Sequence, residues 1–302
     1  MVIIFFTGGN HHVENAYDDI KKGERGAWIS IIAYLFLSTI KLTVGWIGAS
    51  AALKADGLNN STDIIASIAI LIGLKIARKP PDENHRYGHF RAETVASLIA
   101  AFIMASVAIQ VLISAGTSFF QANHETPDMI TAWTAIFSAA IMYGVYMYNS
   151  RLAKKINSQS IMAAAQDNRA DALVSIGAFI GIIGSRLGVE WLDTLTAFAV
   201  GLIIFKTAWG IFSEASLSLT DAFDLNKIRD IQYSVEKVPG VRGVPSIKAR
   251  SHGNVTFVDV VILVDPDLNV VESHDITEYV EEALLQEHNI RATHIHIEPN
   301  GR

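Results

Sequence analysis

Two pairs of polar residues lie inside strongly apolar stretches of the chain. Asn59 and Asp63 form the first pair, and Asp167 and Asp171 form the second. Because the members of each pair are four residues apart, they project from one face of a helix, one turn from each other. Oxygen ligands at membrane depth are energetically costly, and such residues are candidates for function. Three carboxylates and one carboxamide can converge on a single divalent cation.

The donor atoms of this quartet favour hard cations. Carboxylate and carboxamide oxygens suit magnesium, calcium or manganese, whereas zinc sites usually include imidazole or thiolate ligands. The chain has no cysteine, and no histidine lies within the apolar stretches. Magnesium is disfavoured because it gives up its water reluctantly. The quartet therefore favours Mn²⁺, with Zn²⁺, Fe²⁺ and Cd²⁺ as weaker candidates.

Carboxylate ligands also suggest how transport is driven. A partly dehydrated carboxylate takes up a proton when the metal leaves, and metal binding expels that proton again. This competition is what a metal/proton antiporter requires. The alternative is that Asp63 and Asp171 only bridge helices, but two pairs at the same spacing favour a binding site. Asn168 lies beside the second pair, either as a hydrogen-bond partner of a ligand or on a polar helix surface.

A second group of possible metal ligands lies between apolar stretches. Asp82, His85 and His89 occur within eight residues, and the two histidines have the spacing of helical neighbours. Imidazole and carboxylate together form a common metal-binding set. A solvated surface loop without a metal is the alternative interpretation.

Six segments are long and apolar enough to cross a bilayer, which takes about 20 residues as a helix. The second and fifth have the lowest hydropathy, and these two carry the polar pairs, as expected of helices that line a polar cavity. The segments are 27–48, 56–78, 91–116, 128–150, 159–184 and 189–213. The sequence thus predicts a six-helix transmembrane transport domain over residues 25–215, embedded in a lipid bilayer.

Basic residues divide the loops into two classes. Most precede the first segment, or lie between the second and third or between the fourth and fifth, as in Lys21, Arg25, Lys79, Arg86 and Lys154. By the positive-inside rule these loops and both termini are cytoplasmic. Residues 1–24 are predicted to be a polar cytoplasmic segment, because the apolar run Met1–Phe6 is too short to span a bilayer.

Composition excludes several classes of function. The chain has 302 residues, is 50% hydrophobic and carries a net charge of −6. A large basic surface for nucleic acid is therefore not expected. The absence of cysteine excludes disulfides and thiolate zinc sites. No phosphate-binding Gly-x-x-x-x-Gly-Lys-Ser/Thr loop occurs, so the energy for transport must come from an ion gradient or from the metal gradient itself.

The composition becomes that of a soluble domain near residue 221. Residues 216–222 are predicted to be a linker, and 223–302 a small cytoplasmic domain. Its pattern reads as an amphipathic helix, two strands, a helix that starts with a capping box at Asn269 and Glu272, and a last strand. The order αββαβ predicts a ferredoxin-like α+β layer.

Taken together, these motifs resemble the cation diffusion facilitators. The resemblance covers nearly the whole chain from about residue 25, and rests on the six spans, the two polar pairs, the His85-Arg-Tyr-Gly-His89-x-Arg-Ala-Glu93 loop and the αββαβ domain. It implies a homodimeric proton-coupled exporter in the cell (inner) membrane, which alternates between inward- and outward-facing states. It also implies that the cytoplasmic domain dimerises.

The resemblance assigns expected roles to individual residues. Zinc-moving members place two aspartates in the second span and histidine with aspartate in the fifth, so Asn59 and Asp167 resemble the manganese branch. Asp82, His85 and His89 correspond to a further metal site in the family. Arg91 and Asp221 match a charge interlock between the membrane and cytoplasmic domains.

The cytoplasmic domain has its own candidate ligands by this resemblance. His274, His296 and Glu298 match family metal ligands. Pro245 and Val261 stand where zinc members can have histidine, which argues against a full binuclear site. The other histidines of the domain are expected to be surface or loop residues, namely His252, His288 and His294.

Two other classes of function fit part of the pattern. An intramembrane aspartyl hydrolase would use Asp63 and Asp171 as acid and base, but would have no need for Asn59 and Asp167. A metal-sensing receptor would signal through residues 223–302, yet no kinase or DNA-binding motif follows the spans. The leading hypothesis is therefore a metal exporter and not an enzyme.

Overall fold

The computed structural model describes residues 10–47, 51–120, 129–189 and 191–301. The chain divides into two compact units. One is Ile20–Ala215, and the other includes Ser216–Arg302.

The first unit is a bundle of six long helices, as the apolar pattern predicts. The first helix begins earlier than the first predicted span, because residues 10–24, predicted to be a polar lead-in, are helical. The helices are α1 (Asn10–Ile47), α2 (Ala51–Ala77), α3 (Arg91–Phe120), α4 (Met129–Ile156), α5 (Gln159–Arg186) and α6 (Trp191–Leu219).

Four of these helices contain windows long and apolar enough to cross a membrane. Within the described residues, the windows are Tyr17–Val44, Arg91–Thr117, Met129–Ile156 and Leu195–Leu219. The remaining two helices, α2 and α5, bury a series of polar side chains. Those side chains include Asn60, Asp63, Ser67, Asn168, Asp171 and Ser175.

Many large apolar side chains of the bundle point outward. Trp28, Ile32, Phe36, Phe102 and Trp209 are all about half exposed or more. In lipid, a helix must make its backbone hydrogen bonds internally. Helices with apolar side chains on the outside of the bundle therefore suit a lipid environment. Small residues allow the helices to approach closely inside, as where Gly73 of α2 packs directly on Ala96 of α3.

A buried carboxylate connects the beginning of α3 to the beginning of α5. Glu93, only 1% exposed, accepts a hydrogen bond from the Ser158 hydroxyl through its Oε1 atom. The Ser160 hydroxyl and backbone N–H reach the same oxygen at 3.3 and 3.5 Å. The first residues of a helix leave N–H groups without intrahelical partners and carry a partial positive charge, so an acidic group is favourable there.

The second unit has the predicted order αββαβ. Helix α7 (Leu225–Glu236) is followed by β1 (Gly243–His252), β2 (Val255–Val264), α8 (Val270–His288) and β3 (Ala292–Pro299). Strand β2 is central, antiparallel to β1 and parallel to β3. The parallel pair requires a crossover, which α8 provides.

Alternation along β2 builds the core of this unit. Val258, Val260, Ile262 and Val264 are buried on one face, where they pack against residues of α7 and α8 such as Val235, Val280 and Leu284. The predicted capping box is confirmed: the Asn269 side chain accepts from the N–H of Glu272, and the Glu272 carboxylate accepts from the N–H of Asn269. The helix thus begins where its sequence specifies.

Candidate metal sites

Three of the four predicted intramembrane ligands come together between α2 and α5. One carboxylate oxygen from each of Asp63, Asp167 and Asp171 lies within 4.8 Å of the other two. Asp63 is 2% exposed and Asp171 is 9% exposed. Asn59 lies on α2 one turn before Asp63, but its side chain is outside the described part of the structure. An oxygen-only cluster is therefore present at the predicted place.

The helix geometry explains how the cluster forms. Asp167 and Asp171 share one face of α5, and small residues beside them bring that helix close to its neighbours. Ala164, Ala165, Ala170 and Ala172 of α5 are all buried. Three carboxylates at this distance repel each other strongly where water is scarce. Such a cluster is stabilised by a cation or by protons held between the oxygens.

A network of neutral polar side chains continues from Asp167 to α1 and α4. The Tyr34 hydroxyl of α1 donates to Asp167 Oδ2 at 3.0 Å, and Asn168 Nδ2 donates to that hydroxyl at 3.0 Å. Asn168 Oδ1 in turn accepts from Ser30 Oγ at 3.0 Å and from Asn149 Nδ2 at 3.1 Å. Asn149 Nδ2 also lies 2.9 Å from Ser30 Oγ. Asn168 is therefore no surface residue, and it acts on the cluster through Tyr34.

Sequence reasoning missed three members of this network. Ser30, Tyr34 and Asn149 are fully buried, and each lies within a segment whose pattern indicates only an apolar span. A polar residue within an apolar span could have indicated them, because burying a polar group in a membrane is costly unless it has a hydrogen-bond partner. That signal does not say which helix provides the partner.

A lysine is also buried near α2. Lys41 of α1 is 1% exposed, and its Nζ atom lies 3.4 Å from Asn60 Oδ1. Asn60 is three residues before Asp63 on the same helix. A charge at such a position is expensive and needs polar neighbours.

The predicted loop cluster is also formed, but its backbone is a turn and not the helix that the spacing suggested. One ligand atom from each of Asp82, His85 and His89 lies within 4.8 Å of the others. Asp82 contacts His85 Nδ1 at 3.1 Å and His89 Nε2 at 3.3 Å. The spacing of His85 and His89 suggested that they are neighbours on a helix, but the residues between them are not helical. A turn joins them, with Gly88 at φ +79°, a conformation that glycine adopts most readily.

Asp82 is held as a charged acceptor within this loop. The N–H of His85 at 2.7 Å lowers the pKa of the Asp82 carboxyl, with smaller contributions from the His85 ring and the N–H of Asn84. His85 and Asp82 are more than half exposed, whereas the His89 side chain is 11% exposed. The cluster is thus accessible to water.

The cytoplasmic candidates are not gathered within one chain. His274 lies on α8 beside Glu278 at 3.6 Å, while His296 and Glu298 lie on β3, 3.7 Å apart. Within the described residues, only the two clusters above bring three such ligand atoms together. Pro245 and Val261 lie on β1 and β2. A site with His274 and His296 would have to recruit ligands from elsewhere.

The remaining histidines of this unit differ from one another. His252, expected at the surface, is 8% exposed because its ring packs on Phe257 with centroids 4.7 Å apart, so that expectation is wrong. His288 Nε2 lies 2.7 Å from the Ser234 hydroxyl. His294 is exposed on β3.

The two residues of the predicted interlock lie in different units. Arg91 is the first residue of α3, and Asp221 follows α6 with a φ of 59°. Their pairing stays a prediction.

Comparison with protein families identifies both units. Residues 27–220 match the cation efflux transmembrane domain, and residues 223–300 match the cytoplasmic domain of cation efflux proteins. The chain belongs to the cation efflux family, the cation diffusion facilitators. It is a membrane transporter that crosses the bilayer several times.

Curated relatives cover nearly the whole chain. The manganese efflux system protein MneS of Bacillus subtilis is 58% identical over 94% of this chain and 98% of its own length. The manganese efflux system protein MneP of the same organism is 31% identical over 90% of this chain and 95% of its own. The magnetosome protein MamM of Paramagnetospirillum magneticum is 30% identical over 85% of this chain and 82% of its own length.

Solved structures match the carboxy-terminal region. A MamM carboxy-terminal domain with a single histidine-to-alanine substitution is 31% identical over 26% of this chain and all of its own, with a TM-score of 0.25. The copper form of the same domain is 33% identical over 26% of this chain and 76% of its own, also with a TM-score of 0.25.

Proposed function

We propose that this cation efflux protein exports Mn²⁺ from the cytoplasm in exchange for protons. The transported ion binds Asn59, Asp63, Asp167 and Asp171, and the bundle exposes this site alternately to either side of the membrane. The single observation that supports the proposal is the convergence of three carboxylates from α2 and α5 within 4.8 Å.

The chemistry of the cluster supports manganese in particular. The three residues whose oxygens come together are all carboxylates, and Asn59 would add a carboxamide oxygen from the preceding turn of α2. Oxygen-only sets suit hard divalent cations, whereas zinc gains from imidazole. Two relatives that align over nine-tenths of the chain are named manganese efflux proteins. Zn²⁺, Fe²⁺ and Cd²⁺ are the competing ions.

Electrostatics supports exchange with protons. With the metal bound, two positive charges offset the three carboxylates. When the metal leaves, the carboxylates repel each other in a poorly hydrated place, and uptake of protons relieves that repulsion. The same oxygens therefore bind metal and protons at different times, so the flow of one is coupled to that of the other.

The setting of this cycle follows from the charge distribution and the family. The protein lies in the cell (inner) membrane with both termini in the cytoplasm, where the basic loops also lie. It functions as a homodimer, held together by the cytoplasmic domain of residues 223–302. Asp82, His85 and His89 form an accessory metal site, and His274, His296 and Glu298 provide metal ligands in the cytoplasmic domain. Arg91 and Asp221 form a charge interlock between the domains.

The hydrolase and receptor hypotheses are less well supported. Two relatives that match over most of the chain are named manganese efflux proteins, and the family is one of transporters, so an intramembrane aspartyl hydrolase is not the conclusion. A dyad also leaves the third carboxylate of the cluster without a role. A receptor would require an output partner of unknown kind.

A competition flux assay tests the proposal. The purified full-length protein is placed in sealed vesicles with a defined pH gradient, and uptake of Mn²⁺ is followed together with internal pH. Manganese is expected to move with counter-movement of protons, and Zn²⁺, Fe²⁺ and Cd²⁺ are expected to compete less well. Absence of manganese flux, or manganese flux without proton movement in sealed vesicles, contradicts the proposal.

A further inference from the structure

We propose that Tyr34 is a positioning residue for the transport site, and that its hold on Asp167 favours Mn²⁺ over Zn²⁺. This inference rests on the proposed function and adds a residue that determines its specificity. It is carried by the hydrogen-bonded network that links Asp167 through Tyr34 and Asn168 to Ser30 and Asn149.

The phenol ring of Tyr34 is held in place by packing. Its side chain is fully buried in a cluster with Leu37 of α1, Met142 of α4 and Ala172 of α5, and Ile64 of α2 packs against the same cluster. Four helices therefore surround the ring. A ring so enclosed has one position, and its hydroxyl is fixed at the edge of the carboxylate cluster.

The direction of each hydrogen bond in the network is set by its neighbours. The carboxylate of Asp167 is a stronger acceptor than the neutral groups nearby, so the phenol proton points to it, with the Asp171 carboxylate as a second acidic neighbour of the same hydroxyl. The phenol oxygen then accepts from Asn168 Nδ2, which leaves Asn168 Oδ1 to accept from Ser30 and Asn149. Each of these hydrogen bonds fixes the direction of the next one in the network, so the Tyr34 hydroxyl acts as the donor to Asp167.

Occupation of Asp167 Oδ2 changes what the residue can offer to a metal. The oxygen that accepts from Tyr34 has a fixed direction, so Asp167 binds the ion mainly through its other oxygen and cannot rotate freely. Hard cations such as Mn²⁺ accept several oxygen ligands with water completing the shell. Their binding leaves the network intact.

Zinc places a different demand on the same residue. A four-coordinate tetrahedral ion needs its ligands to close around it. To do so, Asp167 would turn away from Tyr34 and leave the fully buried Tyr34 hydroxyl without its bond to Asp167 Oδ2. The network thus opposes zinc more than manganese, and specificity is a difference of two affinities.

The direct test is Tyr34→Phe, which removes one oxygen and keeps the ring. Flux of Mn²⁺ and of Zn²⁺ is measured separately with the full-length protein in vesicles, and KM and kcat are obtained for each ion. The ratio of kcat/KM for Mn²⁺ to that for Zn²⁺ is expected to fall by about 10-fold, within the range of about 10- to 100-fold known for groups that support metal ligands. The change is expected in KM more than in kcat, because all metal ligands remain.

Two further variants separate positioning from general stability. Tyr143→Phe makes the same chemical change at an exposed site on α4 and is expected to leave the ratio at the wild-type value. Ser30→Ala removes one of the two donors to Asn168 Oδ1 and should shift the ratio in the same direction by a smaller factor. Because Ser30 acts on Asp167 only through Tyr34, the double variant Ser30→Ala with Tyr34→Phe should have the same manganese-to-zinc ratio as Tyr34→Phe alone.

The outcomes distinguish this inference from the proposed function. If the wild-type protein moves no manganese, the proposed function fails. If the wild type transports and Tyr34→Phe keeps its metal ratio within about twofold of Tyr143→Phe, Tyr34 does not set specificity and the inference is overturned. If Tyr34→Phe does not assemble, Ser30→Ala decides in its place: a shifted ratio supports the inference, and an unchanged ratio overturns it.

Discussion

The carboxylate cluster of the bundle and the cluster of the loop both bring three ligand atoms close together, but in different surroundings. In both, three ligand atoms lie within 4.8 Å. The loop contains its own bases, so Asp82 is paired with His85 and His89 without a metal. The bundle cluster consists of three acids, and Tyr34 supports it as a neutral donor. The comparison shows that similar ligand spacing can have different electrostatics. Three carboxylates repel each other and are stabilised strongly by a cation, whereas a carboxylate already paired with two histidines is stabilised less.

The largest effect is expected from Asp63→Ala or Asp171→Ala. Each removes one of three buried carboxylates, so manganese flux and metal-driven proton movement should fall by at least about 100-fold, while the dimer still assembles. Flux in vesicles and size-exclusion chromatography are the measurements. Asp230→Ala, at an exposed position on α7, is the matched control and should transport normally. Normal flux in either bundle variant would overturn the assignment of the site.

The next effect concerns the kind of metal. Asn59→Asp combined with Asp167→His places an imidazole in the bundle cluster and should shift the ratio of manganese to zinc transport towards zinc by about 10-fold or more. Competition flux with both ions measures the ratio. An unchanged ratio would mean that ligand softness does not set the choice of metal.

A smaller effect is expected from the loop. His85→Ala with His89→Ala should reduce the number of Mn²⁺ ions bound per protein, because two of three ligands are lost. Flux should stay within about threefold of wild type, as expected for substitutions at an accessible site away from the core. Equilibrium dialysis and vesicle flux measure the two quantities. A flux loss as large as that of Asp63→Ala would mean that the loop cluster is as important for transport as the bundle cluster.

The smallest effect concerns the pH dependence of loop order. The N–H of His85 lowers the pKa of Asp82, so the folded loop binds this proton less readily than the unfolded chain does. The stabilisation is fully present above the ordinary aspartate pKa of about 3.9 and is lost as pH falls through the lowered value. Protection of the Asn84 and His85 amides from hydrogen exchange, relative to the unstructured rate at the same pH, should be constant at neutral pH and fall only below that range. Loss of this protection already near pH 6 would contradict this sign.

The grouping of the carboxylates of the bundle cluster could be predicted from sequence because its signal is local. Asp167 and Asp171 share a helix face through their spacing alone, and Asn269 with Glu272 specified the start of α8 in the same way. The supporting network could not be predicted, since Tyr34 and Asp167 are 133 positions apart. Only the packing of α1 on α5 brings them together. The burial of His252 could not be predicted either, because sequence does not show that Phe257 covers it.

The hydrogen bonds of Glu93 have a mechanical consequence for the proposed transport cycle. They fasten the first turn of α3 to the first turn of α5, so these two segments are expected to move together. Asp167 and Asp171 lie about two and three turns further along α5. A swing that turns the site from one side of the membrane to the other must therefore bend α5 beyond its first turn or carry α3 along as part of one lever.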